Sequence, residues 1–223
     1  MSDFKTRVVV LISGSGTNLQ ALIDSAEKGL LPVKICAVIS NVDNVAGLDR
    51  ATQHNIPAFV ISHKSFASRE AFDERLMEII DSQGAELVVL AGFMRILTPA
   101  FTEHFAGKML NIHPSLLPKY QGLNTHQRAI DAGDSIHGVS VHYVTADLDG
   151  GPVAIQASVA IEPEDDTSSL AAKVQAKEHL IYPLAVRWFA EGRLSYKDGK
   201  ALFDGVELTE SGLHFDDTMI ESD

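Results

Sequence analysis

The chain has 223 residues but a single cysteine, Cys36, so no internal disulfide can form. This favours a reducing compartment. Because Cys36 lies in the apolar run of residues 33–39, we expect a buried, unreactive thiol. Basic residues are also scarce: the chain has 18 Lys and Arg residues but 30 Asp and Glu residues, which gives a formal net charge of -12 at pH 7. We therefore expect binding to neither nucleic acid nor anionic membrane surfaces, both of which need clustered basic side chains.

Long hydrophobic runs are missing as well. No apolar stretch approaches the ~20 residues of a membrane span, and the segment Met1-Ser2-Asp3-Phe4-Lys5 lacks the apolar part of a signal peptide. We therefore expect a cytoplasmic protein without a membrane segment. With 45% hydrophobic residues, the chain can bury a full core. We predict one domain over residues 1–223, with a core at 6–192 and a C-terminal extension at 193–223, of which residues 216–223 are loose.

The first half alternates between strand and helix patterns. Apolar, β-branched runs predict strands at residues 8–12, 34–40, 58–61 and 87–91, and helical spacing predicts helices at 17–28, 46–54 and 68–83. Such alternation is typical of a mostly parallel sheet with helices on both faces.

The second half follows another pattern. We predict a strand at 109–112, a loop at 116–123, a helix at 124–132, strands at 138–144 and 153–161, a helix at 168–191 bent or broken near Pro183, and a hairpin turn at Asp198-Gly199. The turn between residues 144 and 153 is too short for a helical crossover, so its two strands should pair antiparallel. The predicted fold class is α/β: a Rossmann-like open, mostly parallel sheet with an antiparallel pair in the C-terminal half.

An amide, an imidazole and a carboxylate occur next to predicted strand ends. Asn111 and His113 are two apart on one strand, so their side chains leave the same face, and Pro114 then ends the pairing. Asp149 lies in the turn Asp147-Leu148-Asp149-Gly150-Gly151-Pro152 and could orient and charge the imidazole. These three polar groups suit acyl transfer without a covalent nucleophile. The structural alternative is a histidine that anchors a surface loop.

A glycine loop, residues 13–18 (Ser-Gly-Ser-Gly-Thr-Asn), joins the first strand to the first helix and predicts a phosphate site. The alternative is a well-capped helix start, because Thr17 and Gln20 have capping-box spacing. Leu19 occupies the third glycine position of the dinucleotide fingerprint, and the second strand ends without an acidic residue, which disfavours NAD. No Gly-Lys-Ser/Thr ending follows, so a P-loop is also disfavoured. A small phosphomonoester fits better.

With these motifs, the chain from about residue 8 to 192 closely resembles the folate-dependent glycinamide ribonucleotide transformylases of purine biosynthesis. The resemblance rests on residues 12–20, 90–97, 111–120 and 138–152. It implies transfer of a formyl group from 10-formyltetrahydrofolate, the cosubstrate, to the amino group of glycinamide ribonucleotide, with Asn111, His113 and Asp149 as the catalytic trio.

The resemblance also implies binding residues. The substrate phosphate and ribose would be held by Gly14, Ser15, Gly16, Thr17, Asn18 and Glu178. The folate would be held by Arg69, Met94, Arg95, Ile96, Leu97, Val144, Thr145, Ala146, Asp147, Leu148 and Asp149. Arg69 has an alternative role as one exposed charge on a helix. Asn124 stands where the family commonly has His, and Ala146 where it commonly has an acidic residue.

Three rivals remain open. Formyltetrahydrofolate hydrolases and methionyl-tRNA formyltransferases share the trio; we expect neither, because the first carry an extra N-terminal regulatory domain and the second a basic C-terminal domain. A non-catalytic phospho-ligand binding module is a remote alternative. His126, His137 and His142 lack metal-ligand spacing, so we expect no metal. We expect a monomer or a homodimer.

Overall fold

The computed structural model describes residues 5–221. The chain forms two compact units, residues 1–111 and residues 112–223. Strand β5 runs through this boundary, so Asn111 is the last residue of unit 1 and His113 belongs to unit 2. The single domain over residues 1–223 that the sequence predicts stays a prediction.

Unit 1 is built on parallel strands connected by helices. Its elements are β1 (Thr6–Ile12), α1 (Thr17–Glu27), β2 (Val33–Ser40), α2 (Ala46–Gln53), β3 (Ala58–Val60), a 3₁₀ turn (His63–Ser65), α3 (Arg69–Ser82), β4 (Leu87–Leu90), α4 (Pro99–His104) and β5 (Met109–His113). The strand order is β5-β4-β1-β2-β3, and every pair is parallel. Residues 8–12 of β1 and all of β4 are buried, as expected for parallel strands covered on both faces.

Unit 2 follows a different plan. Its elements are α5 (Thr125–Asp131), β6 (Ile136–Tyr143), β7 (Val153–Ala160), α6 (Thr167–Ala190), β8 (Leu194–Lys197), β9 (Lys200–Phe203), β10 (Val206–Glu207), β11 (Leu213–His214) and α7 (Thr218–Glu221). Strands β6 and β7 pair antiparallel, and β11 adds to β7 in parallel. Strands β8, β9 and β10 form a separate antiparallel sheet.

These elements confirm the predicted fold class, including the antiparallel pair. The hairpin turn at Asp198-Gly199 is also confirmed, with φ of +52° and +79° at its two residues. No helix in the described part of the chain is long and apolar enough to span a membrane.

The C-terminal half bears on two further sequence predictions. Helix α6 continues through Pro183, so the alternative of a break there is wrong, whereas a bend stays a prediction. Residues 181–186 are all buried, and their packing outweighs the hydrogen bond that proline removes. The looseness predicted for residues 216–223 stays a prediction. The Asp216 carboxylate accepts a hydrogen bond from the Thr218 N–H at 2.9 Å, and α7 begins there. Residues 222 and 223 lie outside the described part.

The six-residue helix α4 has no counterpart in the sequence prediction. It begins at Pro99, a residue whose missing N–H costs nothing in the first turn. The Thr98 hydroxyl caps it by accepting from the Phe101 N–H at 3.3 Å. These two signals were available in the sequence, but six residues are too few to show helical periodicity.

Candidate active site

The histidine at the end of β5 and the carboxylate of the β6–β7 turn lie together in unit 2. Nδ1 of His113 is 3.4 Å from Oδ2 of Asp149, and the two side chains are 7% and 10% exposed. Asn111 lies two residues earlier on the same strand, so its side chain leaves the same face as that of His113. The structure therefore pairs the predicted imidazole with the predicted carboxylate in a place nearly sealed from water.

A second imidazole lies on the other side of the same carboxylate. Nε2 of His142, on β6, is 3.8 Å from Oδ1 of Asp149, while its Nδ1 donates to the Tyr143 carbonyl at 2.9 Å. Burial lowers the pKa of His142 to about 4, so this ring is neutral at pH 7. At neutral pH, His142 therefore brings no positive charge to Asp149.

The backbone of the turn explains why a carboxylate can reach this position. Asp149 has φ of +48°, in the left-handed region that Asp and Asn tolerate better than most residues. Gly151 then passes so close to β6 that a Cβ there would lie 1.8 Å from the Tyr143 carbonyl oxygen. Glycine at position 151 is therefore required by the path of the turn, and that path brings Asp149 to His113.

A short segment, which we call the capping segment (residues 120–122), covers the pair. The Tyr120 carbonyl accepts from Nε2 of His113 at 2.9 Å. The Gly122 N–H donates to Oδ2 of Asp149 at 2.9 Å, and the Gln121 amide donates to the Asp149 carbonyl at 3.2 Å. Both ring nitrogens of His113 are thus engaged in this conformation.

A buried polar network fixes the chain directly after His113. The Ser140 hydroxyl accepts from the Leu117 N–H at 3.0 Å and donates to the Ser115 carbonyl at 2.6 Å. Gln156, on β7, donates to the Leu117 carbonyl at 2.8 Å and to the Ser140 hydroxyl at 2.9 Å. No sequence motif predicts a role for Ser140 or Gln156. The available signal is a polar side chain with apolar residues on both sides of it in a strand.

In unit 1, the glycine loop ends in the helix start predicted for a phosphate site. Gly16 is the N-cap residue of α1, with φ of +69°, and the Gln20 N–H donates to its carbonyl at 2.9 Å. The alternative of a capping box is wrong, because Thr17 is already inside the helix and the Gln20 side chain bonds to Asp24 at 2.7 Å.

The glycine loop is also tied to neighbouring segments of unit 1. The Ser13 hydroxyl donates to the Asn41 side chain, at the end of β2. The same hydroxyl accepts from the Met94 N–H at 2.8 Å. Ser13 therefore connects the predicted phosphate segment to the segment predicted to contact folate.

The other predicted folate residues of unit 1 differ in exposure. Met94 and Ile96 are large apolar side chains that are 65% and 55% exposed, whereas Leu97 is buried. The Arg95 guanidinium lies 4.9 Å from the centre of the Phe72 ring. Its Nε is buried without a hydrogen-bond partner. Arg69 is exposed as the first residue of α3, where the Ser68 hydroxyl caps the helix by accepting from the Ala71 N–H.

The remaining predicted positions lie in unit 2. Glu178 is half-buried in the middle of α6. In the β6–β7 turn, Val144 and Thr145 are half-buried, whereas Ala146, Asp147 and Leu148 are exposed. Asn124 is the N-cap residue of α5 with φ of +58°, a conformation for which asparagine and histidine are both favoured over most residues.

Two further histidines of unit 2, His126 and His137, contact each other. Nδ1 of His126 lies 3.1 Å from Nε2 of His137, and burial lowers the pKa of both, that of His137 to about 4. Across residues 5–221, no group of three or more His, Cys, Asp or Glu side chains is arranged to hold a metal ion.

Comparison with known proteins gives a consistent result. Residues 6–186 match the formyl transferase family. The phosphoribosylglycinamide formyltransferase of Haemophilus influenzae is 51% identical over 92% of this chain and 97% of its own length, and that of Escherichia coli is 50% identical over 94% and 99%. The solved structure of the phosphoribosylglycinamide formyltransferase of Coxiella burnetii is 52% identical over 96% of this chain and 100% of its own, with a TM-score of 0.92.

Proposed function

The chain belongs to the formyl transferase family, and we propose that it transfers the formyl group of 10-formyltetrahydrofolate to the amino group of glycinamide ribonucleotide in de novo purine biosynthesis. It is an enzyme of the phosphoribosylglycinamide formyltransferase type. The observation that carries the proposed chemistry is the buried pair of His113 and Asp149 at the end of β5, 3.4 Å apart.

The reaction needs stabilisation of a negative charge that develops on oxygen. The substrate amine attacks the formyl carbon, a new C–N bond forms, and the carbonyl oxygen becomes an oxyanion. The bond from the formyl carbon to N10 of the folate then breaks; one proton leaves the amine and one is added to N10. Asn111 and a protonated His113 supply N–H donors to the oxyanion, and such donors are worth most when they are fixed before the reaction begins.

Asp149 holds His113 through Nδ1 and stabilises positive charge on its ring. Because burial keeps the pKa of His142 at about 4, that ring does not compete for the carboxylate at neutral pH. Asp149 also accepts the amine proton through a water molecule in the proposed mechanism. His113 thus acts through Nε2, the nitrogen that faces away from Asp149.

In the conformation described here, Nε2 of His113 donates to the Tyr120 carbonyl. Productive binding therefore requires the capping segment to withdraw, so that the oxyanion takes the place of this carbonyl. The same movement removes the Gly122 N–H from Asp149. The capping segment belongs to a loop rich in Gly, Pro and polar residues, a composition suited to a lid.

Substrate recognition is divided among the other predicted residues. The glycine loop, with Gly16 as helix N-cap, presents backbone N–H groups to the phosphate, and Glu178 contacts the ribose. The exposed side chains of Met94, Ile96 and Leu148 offer apolar surface to the folate, and Arg69 and Arg95 suit the carboxylates of its glutamate end. We propose a cytoplasmic enzyme, monomeric or homodimeric, that uses no metal, NAD or nucleic acid.

The test is a folate assay with and without the phosphorylated amine. We expect folate product only when glycinamide ribonucleotide is present, at a rate that a chelator does not change. Equal product formation without the amine would identify a formyltetrahydrofolate hydrolase instead. Absence of product in both mixtures, with tight binding of the ribonucleotide, would identify a non-catalytic binding protein.

A further inference from the structure

Helix α2 holds two carbonyl groups of the glycine loop. The Gly47 N–H donates to the Gly14 carbonyl at 3.1 Å, and Nε of Arg50 donates to the Ser15 carbonyl at 2.9 Å. The third carbonyl, that of Gly16, accepts the first hydrogen bond of α1. Three successive carbonyl groups of the loop are therefore bonded to helices of unit 1.

The orientation of these carbonyls decides where the loop's N–H groups point. In a planar trans peptide the C=O and N–H bonds point in opposite directions. Since the Gly14 and Ser15 carbonyls face α2, the N–H groups of Ser15 and Gly16 face away from it. An anion attracted to the positive end of α1 would meet these N–H groups and not the carbonyl oxygens.

The contact between the loop and α2 is too close for side chains. A Cβ on Gly16 would lie 2.7 Å from the Gly47 Cα, and a Cβ on Gly47 would lie 2.5 Å from Cδ1 of Ile12. The φ of +69° at Gly16 adds a second reason for glycine. This glycine–glycine contact brings α2 near enough for Arg50 to reach the loop.

Arg50 is itself held in place by a polar network. Its Nη1 donates to Oε1 of Gln20 at 3.1 Å, and the Gln20 amide nitrogen lies 2.7 Å from Oδ1 of Asp24 and 3.2 Å from Nε2 of His54. His54 in turn contacts Glu27 at 2.6 Å. The half-buried guanidinium is thus fixed between α1 and the Ser15 carbonyl, which suits a planar group with two donors in a rigid arrangement.

We propose that Arg50 is a positioning residue for the substrate phosphate: it holds the Ser15 carbonyl toward α2 and so keeps the backbone N–H groups of the glycine loop aimed at the anion. This rests on the proposed assignment of the phosphate to that loop. Arg50 acts through the loop, and its effect is confined to substrates that carry a phosphate.

The experiment compares two amines, glycinamide ribonucleotide and its dephosphorylated ribonucleoside, in the wild-type enzyme and in Arg50→Gln. We expect Arg50→Gln to raise the KM for the ribonucleotide about tenfold, with kcat and the folate KM changed less than about twofold. Its kcat/KM preference for the phosphorylated amine should fall by a similar factor. Arg75→Gln is the matched control, because Arg75 is an exposed arginine of α3 in an i,i+3 ion pair; it should match the wild type.

Arg50→Lys separates positioning from simple attraction. Lysine keeps the charge but lacks the planar pair of donors, so we expect it to lose most of the phosphate preference. Gly47→Ala provides an independent disturbance of the same contact and should also raise the KM for the ribonucleotide selectively. Thermal melting confirms that each variant is folded.

An unchanged phosphate preference in folded Arg50→Gln, or full wild-type behaviour of Arg50→Lys, would overturn the positioning role. Failure of the underlying assignment gives a different result. If the wild-type enzyme uses the ribonucleotide no better than the ribonucleoside, the glycine loop does not bind the phosphate, whatever Arg50 does.

Discussion

Asp149 illustrates how a single residue can be assigned to one partner among several. Its carboxylate lies between His113 and His142 and also accepts from the Gly122 N–H. Burial keeps His142 neutral, so the negative charge of Asp149 is available to His113. In the proposed mechanism, His113 and Asp149 therefore act as a pair and not as part of a triad of equivalent groups.

Asp149→Asn tests this pairing. Asparagine keeps the size and tolerates the φ of +48°, but it removes the negative charge. We expect kcat to fall by roughly 10²-fold or more, with little change in the KM for folate, because the lost interaction acts mainly in the transition state. Steady-state kinetics with both substrates varied measures kcat and the two KM values separately.

The double variant Asp149→Asn with His113→Ala should lose little more activity than the worse single variant, whereas multiplicative losses would show that the two residues act independently.

Asn111→Ala tests the second oxyanion donor. We expect a loss in kcat of about 10²-fold, since removal of one preorganised donor costs roughly that factor. Stability should change little, because Asn111 is only half-buried in β5 and its backbone pairing with β4 is retained. The matched comparison is Asn111→Asp, which keeps the shape but replaces the amide donor with an acceptor and should be at least as damaging. Normal kcat in either variant would remove Asn111 from the proposed mechanism.

At the scale of elements, strands β6 and β7 do more than cover the core. Through Ser140 and Gln156 they hold the backbone at residues 115 and 117, immediately after His113. Ser140 and Ser115 are fully buried, so each of these polar groups depends on a protein partner. The position of His113 is therefore set from both sides, by strand β5 before it and by this network after it.

Ser140→Ala should reveal the cost of losing this anchor. The Leu117 N–H and the Ser115 carbonyl would lose a buried partner, and we expect destabilisation of about 2–3 kcal/mol. Urea unfolding measures the free-energy change, and kcat at a temperature well below the midpoint measures the effect on His113. Ser158→Ala is the control. The Ser158 hydroxyl on β7 is partly exposed, and its contact with Nε2 of His214 is long, at 3.5 Å, so we expect a destabilisation of less than about 0.5 kcal/mol. Equal effects of the two substitutions would contradict the anchoring role.

At the scale of the whole molecule, buried neutral histidines make stability depend on pH. The pKa values of His137 and His142 are both lowered to about 4 by burial. In the unfolded chain these rings take up protons at a pKa near 6.5, so between about pH 6.5 and pH 4 the unfolded state binds more protons than the folded state. The contribution of these two histidines to stability is therefore fully present above about pH 6.5, and it is lost as the pH falls through this window.

We expect the Tm to fall by roughly 5 °C or more between pH 7 and pH 5. The pH range in which these histidines act differs from that of the carboxylate Asp165. Hydrogen bonding to Lys173 and its neighbours lowers the pKa of Asp165 to about 2, so the contribution of Asp165 to stability is lost only at a lower pH. His137→Asn should reduce the dependence of Tm on pH, whereas His104→Asn, at an exposed position, should not. A Tm that is constant from pH 7 to pH 5 would contradict the buried neutral state of these rings.

The sequence by itself determined the strands of unit 1, its helices α1, α2 and α3, the antiparallel pair of unit 2 and the choice of Asn111, His113 and Asp149 as polar groups on strand β5 and in the β6–β7 turn. These features depend on local patterns: apolar runs, helical spacing, glycine turns and a proline that ends a strand. Only the tertiary structure decided that His142 stays neutral beside Asp149, that Arg50 holds the Ser15 carbonyl, and that Ser140 and Gln156 fix the chain after His113. The physical reason is that burial, and hydrogen bonds between residues far apart in sequence, depend on packing. For the same reason, α6 passes through Pro183 without a break, although its local pattern predicts a bend or a break there.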